Sequence, residues 1–278
     1  VVNEAGREEV MTFTNTRESG TLALSKALKG NATDGEKEFT FHVKLENARF
    51  DTATQRDAYD VVIREANKAD VQTTVARDAN GEYVLTLKGG QTATLLDVLY
   101  GTTATVAEDD YTAEGYEAVS TQTAAVNGQT PDAAVAFTNE RYIGSIEITK
   151  ALAGTGSDKG YGKTFTFDVK LWNEHDLDLL NAQTSTMPSG VDGLTKTNEQ
   201  RDGHDVYAGT VSITMGADGQ PVSASITNIP AYTSYEIVER DYTDDGYTTQ
   251  TPQNASGLID VVNEAGREEV MTFTNTRE

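Results

Sequence analysis

FTFHVKL, Phe39 to Leu45, returns as FTFDVKL, Phe165 to Leu171, with two phenylalanines, a valine and a leucine on alternate positions in both copies. A period of two places those four side chains on one face of a β-strand, and aromatic and β-branched residues favour that conformation. Ahead of the two copies stand GTLALSKALKG, Gly20 to Gly30, and GSIEITKALAG, Gly144 to Gly154. Behind them come variable middles, Glu46 to Gly81 and Trp172 to Asp205, and then strands at Tyr83 to Leu87 and Val206 to Met215. The closing runs also correspond. Leu95 to Tyr100 matches Ala224 to Ala231, Thr103 to Tyr111 matches Ser234 to Tyr242, and Val135 to Asn139 matches Met271 to Asn275. Short alternating runs broken by Gly, Asn and Asp predict an all-β chain of two tandem β-sandwiches, 19–141 and 142–278, joined near Tyr142.

A second repetition frames the first. Val1 to Glu18, VVNEAGREEVMTFTNTRE, is identical to Val261 to Glu278, an offset of 261 − 1 = 260 residues. Self-similarity at a fixed period is the signature of a tandem array. Residues 1–18 are therefore expected to be the last strand of a preceding repeat, with Asn15 and Asn275 as one position in successive units.

Composition narrows the function. The 278 residues carry a formal charge of −22, which opposes nucleic acid or an anionic membrane as partner. Cysteine is absent, so disulfides and thiolate metal sites are excluded, and His42, His175 and His204 are too scattered for a histidine site. No apolar run approaches the length of a membrane span. Neither a metal nor a cofactor is expected.

Strand phase exposes a polar constellation. Leu22, Leu24, Lys26 and Leu28 share a face, as do Ile146, Ile148, Lys150 and Leu152, so each domain aims one lysine at its core. Val135, Phe137 and Asn139 align, as do Met271, Phe273 and Asn275. Val106 leads inward to Glu108, as Tyr235 and Ile237 lead to Glu239. A core-phase lysine commonly snorkels, and a terminal asparagine commonly opens a turn. Both domains nevertheless repeat all three residue types at matching places. A lone buried charge costs several kcal/mol unless paired or neutralised.

These motifs, K-x-L-x-G, F-T-F-x-V-x-L, Y-x-[IV]-x-E with a following G-Y, and F-T-N, resemble the Cna B-type and FctA-like backbone-pilin domains of Gram-positive surface proteins. The resemblance spans nearly the whole chain and implies Ig-like sandwiches. It also implies a spontaneous isopeptide bond between the first-strand lysine and the last-strand asparagine, promoted by the glutamate. The implied sets are Lys26 and Asn139 with Glu108, and Lys150 and Asn275 with Glu239; Asn15 is a cross-link position whose lysine is missing. Ala104 departs from the pattern where Tyr235 keeps it, while Tyr111 and Tyr116 match Tyr242 and Tyr247.

The chemistry suits the residue types. Burial drives a lysine toward the nucleophilic amine and a carboxyl toward the proton-donating acid. Glu108 and Glu239 would be catalytic once per domain, without turnover. The implied role is the stalk of an adhesin or pilus-like fibre outside the cell, attached to the cell wall, with neighbouring repeats as partners. The alternative is an adhesive module using segments 46–81 and 172–205 to bind a host protein or glycan. For the orphan strand the alternative to a continuous array is donation to another molecule. Ser157 to Thr164 imitates a phosphate loop but has Ser157 in place of the first glycine, and reads as a loop. The acidic clusters Glu108-Asp109-Asp110 and Asp241 with Asp244-Asp245 match no EF-hand spacing and read as solvated turns.

Overall fold

A computed structural model of the chain describes residues 11–14, 17–31, 35–48, 56–154, 162–180, 188–260 and 267–277. They are almost entirely strand, as the alternating pattern requires. Ahead of Tyr142 lie β1 (Ser19–Gly30), β2 (Glu38–Asn47), β3 (Ala58–Glu65), β4 (Val71–Ala76), β5 (Glu82–Lys88), β6 (Gln91–Leu99), β7 (Thr102–Glu108), β8 (Gln122–Val126) and β9 (Asp132–Arg141). Beyond it lie β10 (Ile143–Ala153), β11 (Thr164–Asn173), β12 (Asp192–Arg201), β13 (His204–Thr214), β14 (Val222–Pro230), β15 (Thr233–Glu239), β16 (Thr248–Gln250), β17 (Ser256–Ile259) and β18 (Glu268–Thr276).

Four sheets result. Their orders are β4-β3-β6-β1-β9 and β5-β2-β7-β8 in the first half, and β14-β10-β18-β16 and β12-β13-β11-β15-β17 in the second. Chain contacts group the residues into two compact units: Ala27–Lys37 and Asp110–Val119 are counted with the unit that continues from Thr138. The first unit holds β2 to β8 together with β1 as far as Lys26 and β9 as far as Phe137.

In the second half Ile146 and Ile148 of one sheet meet Phe165, Phe167, Val169 and Leu171 of the other in one buried core. Phe167 and Phe273 bring the sheets together with ring centroids 5.0 Å apart. Phe41 and Phe137 do the same in the first half at 5.1 Å. The repeated FTF strands thus form the inner wall of each sandwich, and their alternation is that of buried residues with half-buried or exposed ones. The variable middles contribute strands too: β3 and β4 in one half, β12 in the other.

The pairing of β10 with β18 was not read from the sequence. The two run parallel, from Ser145 opposite Glu268 to Ala153 opposite Thr276. A parallel pair needs a long crossover, and here nearly the whole domain is that crossover. Gly154 shows how closely the strands meet. Its φ of 105° is a left-handed conformation, and a Cβ there would stand 2.0 Å from the carbonyl oxygen of Arg277. Gly30 repeats the arrangement against Arg141, at φ 94° and 1.9 Å. The glycine that closes K-x-L-x-G is therefore a close-approach residue.

Residues 1–18 were expected to form a strand. Those that are described, 11–14 and 17–18, belong to no ladder, and Met11 and Phe13 are 79% and 86% exposed. The same residues one repeat later, Met271 and Phe273, are 1% and 0% exposed within β18. Identical side chains differ because the later copy has β10 and β16 beside it. Asn15 lies outside the described residues, as do 157–161 of the phosphate-loop imitation.

Candidate functional site

Lys150 is carried inward on β10, two residues past Ile148, and its side chain is fully buried. The parallel register sets Lys150 opposite Phe273 and Leu152 opposite Asn275. Asn275 is also fully buried. Glu239 arrives from the facing sheet at the end of β15, opposite Phe167 of the FTF strand, with a side chain 1% exposed.

The three side chains meet. Lys150 Nζ lies 3.0 Å from Glu239 Oε1 and 3.2 Å from Oε2, and 3.5 Å from the carbonyl oxygen of Phe273. Asn275 Nδ2 donates to Glu239 Oε1 at 2.9 Å, while the Asn275 carbonyl oxygen has no hydrogen-bond partner. Phe165 lines the pocket, with its ring centroid 4.6 Å from Lys150 Nζ.

Burial sets the charge state. Desolvation holds the Lys150 pKa below its ordinary value, although the charge and hydrogen bond of Glu239 pull it upward. Desolvation raises the Glu239 pKa, against the opposing influence of Lys150 and Asn275. Both shifts oppose the charged forms and so lower the cost of moving the proton from ammonium to carboxylate.

The first half repeats the elements. Lys26 is buried on β1 and donates to Glu108 Oε1 at 2.7 Å. Glu108 ends β7 opposite Phe41, the same register position as Glu239 opposite Phe167. Desolvation again lowers the lysine pKa against the pull of the glutamate. Phe39 lies 3.9 Å from Lys26 Nζ. Asn139 is buried on β9, the strand beside β1. Ala104 occupies the register position of Tyr235, each opposite the leucine that ends the FTF motif, and is itself fully buried.

Other polar residues with matching roles escaped the sequence reading. Asn173 is buried at the end of β11, where its Nδ2 donates to the Ala231 carbonyl at 3.0 Å and to Thr233 Oγ1 at 2.9 Å. Asn47 makes the equivalent pair with the Tyr100 carbonyl and Thr102 Oγ1, at 3.2 and 2.9 Å. The signal was available: both FTF strands end in Asn. The acidic clusters do not act as one group. Glu108 belongs to the buried pair, Asp110 and Asp241 cap turns through the amides of Thr112 and Thr243, and Asp245 pairs with Lys163. Among the described residues no three His, Asp or Glu side chains are grouped to hold a metal.

A family model described as Domain of unknown function (DUF7601) matches the chain twice, over residues 20–141 and 144–277. A pilin of Streptococcus pyogenes serotype M1 is 31% identical over 114 residues, 40% of this chain and 32% of that protein. The match thus spans about a third of the pilin's length, and it meets the resemblance to Gram-positive backbone pilins read from the motifs. Among solved structures, the major pilin from Streptococcus pyogenes aligns over 94% of this chain and 99% of its own, at 18% identity and a TM-score of 0.38. The T-13 major pilin of that species aligns over 94% and 98%, at 16% identity and a TM-score of 0.34. Two matches that together cover nearly the whole chain make the assignment: this protein belongs to the family described as Domain of unknown function (DUF7601), in two tandem copies.

Proposed function

We propose that the chain is a structural segment of an extracellular, cell-wall-attached fibre. In this reading each domain, 19–141 and 142–278, is clamped by an autocatalytic isopeptide bond, Lys26 to Asn139 and Lys150 to Asn275. The observation that carries the reading is the buried triad of Lys150, Glu239 and Asn275, in which one carboxylate oxygen accepts from both nitrogens. The similarity to a pilin supports the setting.

The reaction balances without a cofactor. The neutral Lys150 Nζ attacks Cγ of Asn275 while protonated Glu239 polarises the side-chain carbonyl. One proton from Nζ passes through the carboxyl to Nδ2, the Cγ–Nδ2 bond breaks, and ammonia leaves. The glutamate ends as it began. The lysine and asparagine are consumed in an amide, so the event occurs once.

A shaft benefits from a bond between first and last strands because tension then passes without unfolding the chain between them. A Lys–Asn amide also needs no oxidant and resists reduction, in keeping with the absence of cysteine. Intact mass under denaturing conditions tests the reading. The full chain is expected to be lighter by two ammonia molecules than its sequence, and Glu108→Ala and Glu239→Ala are each expected to restore one. An unshifted mass sinks the cross-link.

A further inference from the structure

An amine that must stay neutral needs protection from water, and the triad does not supply it alone. DYTDDGY, Asp241 to Tyr247, and DYTAEGY, Asp110 to Tyr116, occupy the same place after the glutamate in both domains. The second copy folds as a 3-10 turn, Thr243–Asp245, closed by Gly246 at φ 81°. Asp241 Oδ1 accepts the Thr243 amide at 2.9 Å, and the amides of Asp245 and Tyr247 return to the Tyr242 carbonyl at 3.1 and 3.2 Å.

The turn delivers two rings to the roof of the site. Tyr242 and Tyr247 meet Phe165 edge to face, with centroids 4.8 and 5.6 Å away, and Phe165 is the ring beside Lys150. The Tyr242 hydroxyl is fastened to the FTF strand, accepting the Thr166 amide at 2.7 Å. Lys163 closes the outside: its ammonium pairs with Asp245 at 2.7 Å and stands 5.0 and 5.7 Å from the Tyr242 and Tyr247 rings. The other copy keeps the parts. Its turn is Thr112–Glu114, closed by Gly115 at φ 88°, with Lys37 2.7 Å from Glu114 and 4.6 Å from the Tyr111 ring.

We infer that residues 241–247 form an aromatic lid latched over the cross-linking site, with Tyr242 as a positioning residue and Lys163 as the latch, and that this lid sets how fast the second domain's bond forms. The inference rests on the cross-link reading. Tyr242 touches neither reacting atom; it acts through Phe165. Opening the lid admits water to Lys150, favours the ammonium and removes the nucleophile.

The test follows bond formation in the full chain, synthesised cell-free over a range of pH and quenched in acid denaturant at intervals. Digestion then quantifies the peptide that joins Lys150 to Asn275. Tyr242→Ala is expected to slow its appearance about tenfold near neutrality and to move the rate's pH midpoint upward, since one pKa unit is a factor of ten in neutral amine. Lys163→Met is expected to slow it roughly threefold in the same direction. Tyr242→Phe, which keeps the ring, is expected to hold the midpoint of the unaltered chain. Should Tyr242→Ala fail to fold, Lys163→Met decides, because its side chain is partly exposed. Folded variants with an unchanged rate and midpoint overturn the lid alone. A chain that never forms the joined peptide overturns the cross-link reading beneath it.

Discussion

Lys150 and Asn275 share one acceptor: Oε1 of Glu239 lies 3.0 Å from the lysine Nζ and 2.9 Å from the asparagine Nδ2. The attacking and leaving nitrogens of the proposed reaction therefore touch the same carboxyl. An amide of the same shape keeps one acceptor for both nitrogens and removes the proton carrier. Glu239→Gln is expected to fold and to form its bond slower by roughly 10²–10⁴, the usual worth of a positioned acid-base group. Time-resolved mass spectrometry checks this, and rapid bonding in the variant would exclude glutamate as the shuttle.

The bond's contribution to stability is separable from that of the ion pair. Asn275→Ala removes the electrophile but leaves Lys150 beside Glu239. Closing a loop of roughly a hundred residues is worth about 4–5 kcal/mol in the chain-entropy model. Denaturant unfolding is expected to show a loss of that order in the second domain, with the first domain's transition unmoved.

Single-molecule stretching offers a geometric reading of the same bond. With Lys150 joined to Asn275, the residues between them cannot extend. Glu239→Gln chains stretched before they bond are expected to release an additional ~400 Å on unfolding, from the reach of an extended backbone. Equal extensions in the two proteins would contradict the clamp.

The residue after each glutamate is tied differently in the two domains. Asp109 meets His42 Nε2 at 3.0 Å, with Glu82 3.0 Å from Nδ1, whereas Arg240 pairs with Asp168 at 2.8 Å. Desolvation lowers the His42 pKa, but hydrogen bonds and charge from Glu82 and Asp109 outweigh it, and the net shift is upward from 6.5. A raised folded value means that the His42 contribution is complete below 6.5 and fades as pH climbs through the folded pKa. Arg240 stays charged throughout, its pKa raised by the hydrogen bond and charge of Asp168. Hydrogen exchange, corrected for its intrinsic pH dependence, is expected to show β7 losing protection as pH rises above 6.5 through the raised His42 pKa while β15 keeps it. His42→Gln should abolish the difference.

Asn173 supplies a control that leaves the reaction untouched. Its side chain serves the Ala231 carbonyl, Thr233 Oγ1 and the His175 amide, the last at 2.9 Å. Asn173→Ala strands these groups and is expected to cost about 2–3 kcal/mol. The ammonia loss should persist. A stable variant would show that water replaces the amide.

The strands and the inward lysines were legible because a period of two shows directly which residues share a face. Lys150, Asn275 and Glu239 could be read as one set because each lies in phase with buried apolar neighbours. The parallel partnership of β10 and β18 could not, since alternation names a face and not a neighbour. The grip of Asn173 on a carbonyl 58 positions away and the latch between Lys163 and Asp245 were equally hidden. Both depend on where separate turns finish in space. Met11 and Phe13 make the limit plain: they carry the letters of Met271 and Phe273 without their burial.

The parallel ladder of β10 and β18 also determines how the second domain meets a pull. Force entering at Ile143 and leaving at Thr276 drags the two strands past each other, so their hydrogen bonds are strained in shear together and not unzipped one after another. With the proposed bond between Lys150 and Asn275 in place, the taut route would shorten to the start of β10 and the last residues of β18. Everything from β11 to β17 hangs slack beside it, including the exposed edge strand β12. Surface variation there would then be mechanically free: under the proposed bond, the segment that differs most between the repeats could be rewritten without weakening the line.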